Sequence, residues 1–173
     1  MIWLLLHLSF PNEARVAKAL PWFVRQRVPG MSKELDCPTI RLHPKKEFSA
    51  TNKFLKYFWA GKSAVFHEKP ALANEPIDLS PYDTLIIATP VWAGNVSSPV
   101  LSFLATNVIE GKQVYLVAHD SGGSPKKCFA TMRALLPKSK VQKEIWLVNV
   151  TQETYSSHKE KLEAFCKEIL AGK

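Results

Sequence analysis

The chain has 173 residues, 46% of them hydrophobic and 22% charged, and a net charge of +8. That balance excludes a disordered chain, and the length sets a single domain, residues 1–173, large enough to bury one core. No apolar run reaches the ~20 residues of a membrane-spanning helix, which predicts no membrane partner.

In chain order, Ile2-Trp3-Leu4-Leu5-Leu6 lacks the basic flank and cleavage site of a signal peptide and reads as a first buried strand, Ile2–Leu8. Asn12 is placed to cap a helix carrying Val16, Ala17 and Leu20, which Pro21 interrupts. Thr39–Leu42 is the second strand. Phe54, Leu55, Phe58 and Trp59 then repeat at helical spacing, with Lys53, Lys56 and Lys62 on the other side, as in an amphipathic helix covering a sheet. Residues 63–82, with Pro70, Pro76 and Pro81, read as an extended connection. Strands at Thr84–Thr89, Val114–Ala118 and Ile145–Val150 alternate with helices at Pro99–Thr106, Pro125–Leu135 and Tyr155–Leu170. The strands at 84–89 and 114–118 are apolar on successive residues, which implies burial on both faces of a parallel sheet. Five strands alternating with about five helices predict an α/β fold: a three-layer α/β/α sandwich with right-handed crossovers.

The charge is uneven. Residues 1–70 hold twelve Lys/Arg against five Asp/Glu, and a second basic stretch runs from Lys126 to Lys143. Such stretches suit acidic partners or nucleic acid, or are solvated helix faces. No RNP-like aromatic pair, zinc finger or recognition helix accompanies them, so nucleic acid is not expected. Cys37, Cys128 and Cys166 are odd in number and form no CxxC pair. They predict a reduced, cytoplasmic protein with inert thiols, and no metal site.

Two loops carry the chemistry. The first, Thr89-Pro90-Val91-Trp92-Ala93-Gly94-Asn95, leaves a buried strand and leads through Ser97-Ser98-Pro99 into a helix. Such a loop lies at the carboxyl edge of the sheet, where open α/β folds bind ligands. Its backbone N–H groups and one flat ring suit a flat heterocycle with a polar edge. A helix-start turn whose tryptophan merely packs is the other reading. The second, His119-Asp120-Ser121-Gly122-Gly123-Ser124-Pro125, allows a close backbone approach at its two glycines, with Pro125 at the first helical position. His119, Asp120 and Ser121 are contiguous, so their side chains diverge and cannot form a hydrolytic triad. No catalytic residue is assigned.

With Tyr82-Asp83-Thr84, Ser98-Pro99-Val100, Phe103-Leu104 and Gly111-Lys112-Gln113-Val114, these loops make the sequence resemble the flavodoxin family. The likeness is closest to small flavodoxin-like proteins with TPVWAG and SGGSP loops, and its motifs span about residues 80–135. The resemblance implies a five-stranded sheet of order 2-1-3-4-5 with FMN at its carboxyl edge. It implies that Thr89–Asn95 and Asp120–Gly123 bracket the flavin ring and that Trp92 covers a ring face. The protein is then an electron carrier or small-molecule reductase, needing no protein acid or base. Its basic charge calls for a redox partner with an acidic surface.

The family's phosphate-binding loop aligns with Leu8-Ser9-Phe10-Pro11-Asn12-Glu13, where only Asn12 matches and Ser9 is the remaining hydroxyl. Pro11 has no N–H to donate, and Glu13 places an anion where a phosphate would sit, at a repulsion of about 4 kcal/mol for charges ~4 Å apart. Two functions stay open on these residues: an FMN protein with an altered phosphate grip, or a domain that has lost FMN and serves as an interaction module.

Overall fold

The computed structural model describes residues 3–8, 31, 35–46, 53–150 and 154–171. Its elements are β1 (Trp3–Leu8), β2 (Thr39–Leu42), α1 (Lys53–Val65), β3 (Thr84–Trp92), β4 (Asn95–Val96), α2 (Ser98–Thr106), β5 (Gln113–Asp120), α3 (Lys126–Ala134), β6 (Lys140–Val148) and α4 (Tyr155–Ala171). The helix expected after Asn12 lies outside the described residues.

Among the described residues the sheet has six strands, where five were expected. Its main path runs β2-β1-β3-β5-β6, with every neighbouring pair parallel. The sixth strand, β4, pairs antiparallel with the end of β3 alone. It exists because β3 does not stop at Thr89. Pairing with β1 ends at His7–Ala88, so Pro90, with no N–H, interrupts no ladder on that side. The strand continues to Trp92 and folds back on itself.

The side-chain period of two divides the apolar runs between two cores, one on each face. Leu85 and Ile87 of β3 and Val114, Leu116 and Ala118 of β5 face Ala60 and Ala64 of α1, Phe103 of α2, and Cys128 and Met132 of α3. Ile86, Ala88, Tyr115 and Val117 face Leu162, Phe165, Cys166 and Ile169 of α4, together with Met31 and Leu35. Phe165 meets Tyr115 edge to face, the rings 5.8 Å apart and 85° inclined. Helices therefore cover both faces, and the continuous apolar strands are buried between them.

The two ends of the sheet differ. Strand β6 begins at Lys140, five residues before the apolar run that marked it, because Lys140–Glu144 is a polar, partly exposed half. At the other end, helix α1 continues to Val65, and part of the extended connection after it runs beside the segment that follows β2. Pro44 bridges Leu72 antiparallel; Lys45 donates its N–H to Ala71 O at 2.8 Å, and Ala73 donates to His43 O at 2.7 Å. Asn74 fixes this segment, accepting from the His43 N–H at 2.8 Å and donating Nδ2 to Arg41 O at 2.7 Å. Among the described residues, no helix is long and apolar enough to cross a membrane.

Candidate functional site

Parallel register between β3 and β5 pairs Thr89 with Ala118 and Pro90 with His119. Two neighbouring strands thus deliver Thr89–Asn95 and Asp120–Gly123 to the same carboxyl edge. Ser9 and Asn12 lie outside the described residues.

The first loop is a β-hairpin. Trp92 and Asn95 pair across a two-residue turn, with φ of 49° at Ala93 and 78° at Gly94. Positive φ at both central residues is the type I′ geometry whose twist suits a tight hairpin. Glycine adopts it freely, whereas alanine pays roughly 1–2 kcal/mol. Ala93→Asn is expected to raise stability by about 1 kcal/mol. By calorimetry that is an increase in Tm of about 2–4 °C.

The hairpin is tied down from below. Thr89 and Ser97 share a hydrogen bond between hydroxyls at 2.9 Å, and the Ser97 N–H donates to Thr89 Oγ1 at 3.2 Å. Ser97 stands at the N-cap of α2 as its sequence suggested, yet its hydroxyl serves the hairpin and caps no helix N–H. Helix α1 holds the other side: the hydroxyls of Ser63 and Ser98 lie 2.7 Å apart, and a Cβ on Gly61 would stand 3.8 Å from that of Ala93.

Trp92 is where sequence and structure part. It is 8% exposed and belongs to the core under α1, α2 and α3. Its ring is packed inside the molecule, not laid out as a cover for a flat ligand. Val91 is half-buried against the same core. Asn95 is fully buried; its Nδ2 donates to Ala93 O at 3.0 Å, while its Oδ1 has no hydrogen-bond partner. Pro90 is buried, and Ala93 is the exposed tip.

The second loop is organised by Asp120, only 7% exposed. Its Oδ1 accepts from the Gly122 N–H at 3.2 Å and from Trp146 Nε1 at 3.1 Å, and its backbone O accepts from the Asn149 N–H at 2.7 Å. One of the two glycine N–H groups expected to face a ligand is therefore taken by the loop's own carboxylate. Gly122 and Gly123 have φ of 143° and 127°, open to glycine and strained for other residues. Ser121, Gly122, Gly123 and Ser124 are exposed. Pro125 is the N-cap of α3, not its first helical residue.

Trp146 and Asn149 were not singled out from the sequence. The signal available was an indole N–H two residues before the end of a strand, which needs an acceptor when buried. Asn149 adopts φ of 47° directly after β6, a conformation asparagine tolerates.

Cys128 is fully buried beneath the second loop. Burial, and then the charges of Asp120 and Glu144, push its thiol up to about 12. The group is neutral at ordinary pH and no nucleophile. Its folded pKa stands above that of an ordinary thiol, so its stabilising effect is whole below the ordinary thiol range and is lost as pH rises through about 12. Cys128→Ser is expected to flatten the alkaline limb of a stability–pH profile from chemical denaturation.

No protein-family model matches the chain, and no curated protein does. Solved structures do. A protein from Bacteroides uniformis, provisionally classed as a flavoprotein, superimposes with a TM-score of 0.69 at 18% identity, over 92% of this chain and 97% of its own. A flavoprotein from Lactobacillus acidophilus, solved in complex with FMN, gives 0.65 at 15% identity, over 94% and 98%. The chain has the fold of these flavoproteins. An apo NADH:FMN oxidoreductase shares the flavoprotein fold more loosely, with a TM-score of 0.50 at 13% identity, over 97% of this chain and 90% of its own.

Proposed function

We propose that this protein binds FMN at the carboxyl edge of its sheet and acts in electron transfer or small-molecule reduction. The observation that carries the reading is the register that sets the Thr89–Asn95 hairpin beside the Asp120–Gly123 loop, on adjacent parallel strands. The parallel path β2-β1-β3-β5-β6 supports a flavodoxin-like reading, in which ligands sit outside the carboxyl ends of the strands.

The residues present suit the group. A Cβ built on Gly94 or Gly122 would meet nothing within 4 Å, so the backbone of both loops is open to close approach. The buried Oδ1 of Asn95 is an unpartnered acceptor beside the hairpin turn, of the kind a ring N–H satisfies. FMN would supply the electron or hydride chemistry when bound; the protein's part is to hold it and exclude competing reactions. Thr89 and Ser97 fix the height of the hairpin, Asp120 fixes the second loop, and Trp92 supports the hairpin from inside.

The test is a titration of the purified protein with FMN and, in parallel, riboflavin, followed by quenching of flavin fluorescence. Saturable FMN binding is expected, weaker for riboflavin by whatever the phosphate contributes. Equal affinity would mean that the phosphate is not gripped. Binding of neither would overturn the reading and leave an interaction module.

A further inference from the structure

The basic stretch from Lys126 to Lys143 holds six cations, and the fold sorts them. Arg133 pairs with Glu144, Lys138 with Glu110 and Lys143 with Glu168. Lys126, Lys127 and Lys140 take no part in the ion pairs among the described residues. Lys140 starts β6 at the amino edge of the sheet. Lys126 and Lys127 stand at the other edge, exposed in the first turn of α3, directly after the exposed Ser121–Ser124 rim.

Position makes this pair costly. A helix N-terminus carries partial positive charge and favours acids, and two lysines there repel it and each other. The first turn of α3 contains no acid. The one acid of the preceding loop, Asp120, is buried and directed to Gly122 and Trp146, so it does not offset them. Exposed cations without an ion-pair partner, placed where the backbone disfavours them, are available to an anion that comes from outside. The surface is a run of exposed loop and helix start, residues 121–124 and 126–127, open to the charged face of a protein.

We propose that Lys126 and Lys127 are the docking contact for the acidic face of a partner protein, set beside the second candidate flavin loop. The inference rests on the electron-transfer reading for the identity of that partner as a redox protein. The charge contact itself operates with or without flavin.

The test uses an acidic plant-type ferredoxin as the probe, its binding to the full chain measured by surface plasmon resonance at low and physiological salt. Lys126→Glu/Lys127→Glu is compared with Lys140→Glu/Lys167→Glu, which changes net charge equally away from the rim. Acids in a helix's first turn are favoured, so the first variant is expected to fold at least as well as the parent. It should weaken ferredoxin binding by on the order of tenfold at low salt and flatten the salt dependence, with less than about a twofold change in the second variant. Equal weakening in both variants, no weakening in either, or no binding of the probe by the parent would overturn the proposal. The FMN titration on the same sample tests the flavin reading separately: ferredoxin binding lost only in the first variant upholds the docking face even if FMN fails to bind.

Discussion

Replacing Trp92 with alanine is expected to lower the unfolding free energy of the flavin-free protein by about 3–5 kcal/mol, the usual cost of emptying a large aromatic site in a core. Its side chain lies among the residues packed under α1, α2 and α3, and its backbone closes the hairpin opposite Asn95. The measurement is urea denaturation of the parent and variant without added flavin. A ring displayed on the surface as a platform would cost less than about 1 kcal/mol to remove and would act on ligand affinity alone. A small stability change paired with a large loss of flavin binding would therefore return Trp92 to the role its sequence suggested.

The second large effect is expected at Asp120. Removing its carboxylate in Asp120→Ala leaves the Trp146 indole N–H without its acceptor and releases the Gly122 N–H from the turn. The loss is expected to be about 2–3 kcal/mol, in the range for hydrogen bonds to a charged group. FMN affinity should fall on the order of tenfold, because the loop must then be ordered at the moment of binding. Asp120→Asn retains an acceptor oxygen and should recover most of both. Denaturation and the fluorescence titration together read the two effects.

The buried frame of this fold was legible because its strands are written as unbroken apolar runs. Thr84–Thr89 and Val114–Ala118 could belong only to a sheet covered on both faces, and both cores bear this out. The helices at 99–106 and 155–170 were bounded by proline, tyrosine and turn residues, and the observed limits differ by a residue. Polar and turn-like residues hid the rest. Pro90 reads as a strand terminator, although the strand passes through it where β1 no longer runs alongside. Lys140–Glu144 reads as surface because one side of an outer strand meets water. In the site, strand spacing placed both loops at the carboxyl edge and the resemblance implied their pairing, whereas the inward turn of Trp92 depends on a hairpin that nothing before Ala93 announces. The Asp120–Trp146 contact joins residues 26 apart in sequence, and only the register of β5 and β6 brings them together.

The two outer strands of the sheet bear on how copies of this protein meet. An exposed strand offers unpaired backbone groups that recruit other strands, the usual route to sheet extension and aggregation. Here β2 is only four residues long, and the strip around Leu72 lies just beyond its carboxyl end, held by Asn74. At the opposite side, β6 presents Lys140, Lys143 and Glu144 along its first half, a row of charges that a second copy could bury only at a desolvation cost. Among the described residues, strand-to-strand joining is thus opposed at one end by brevity and at the other by charge.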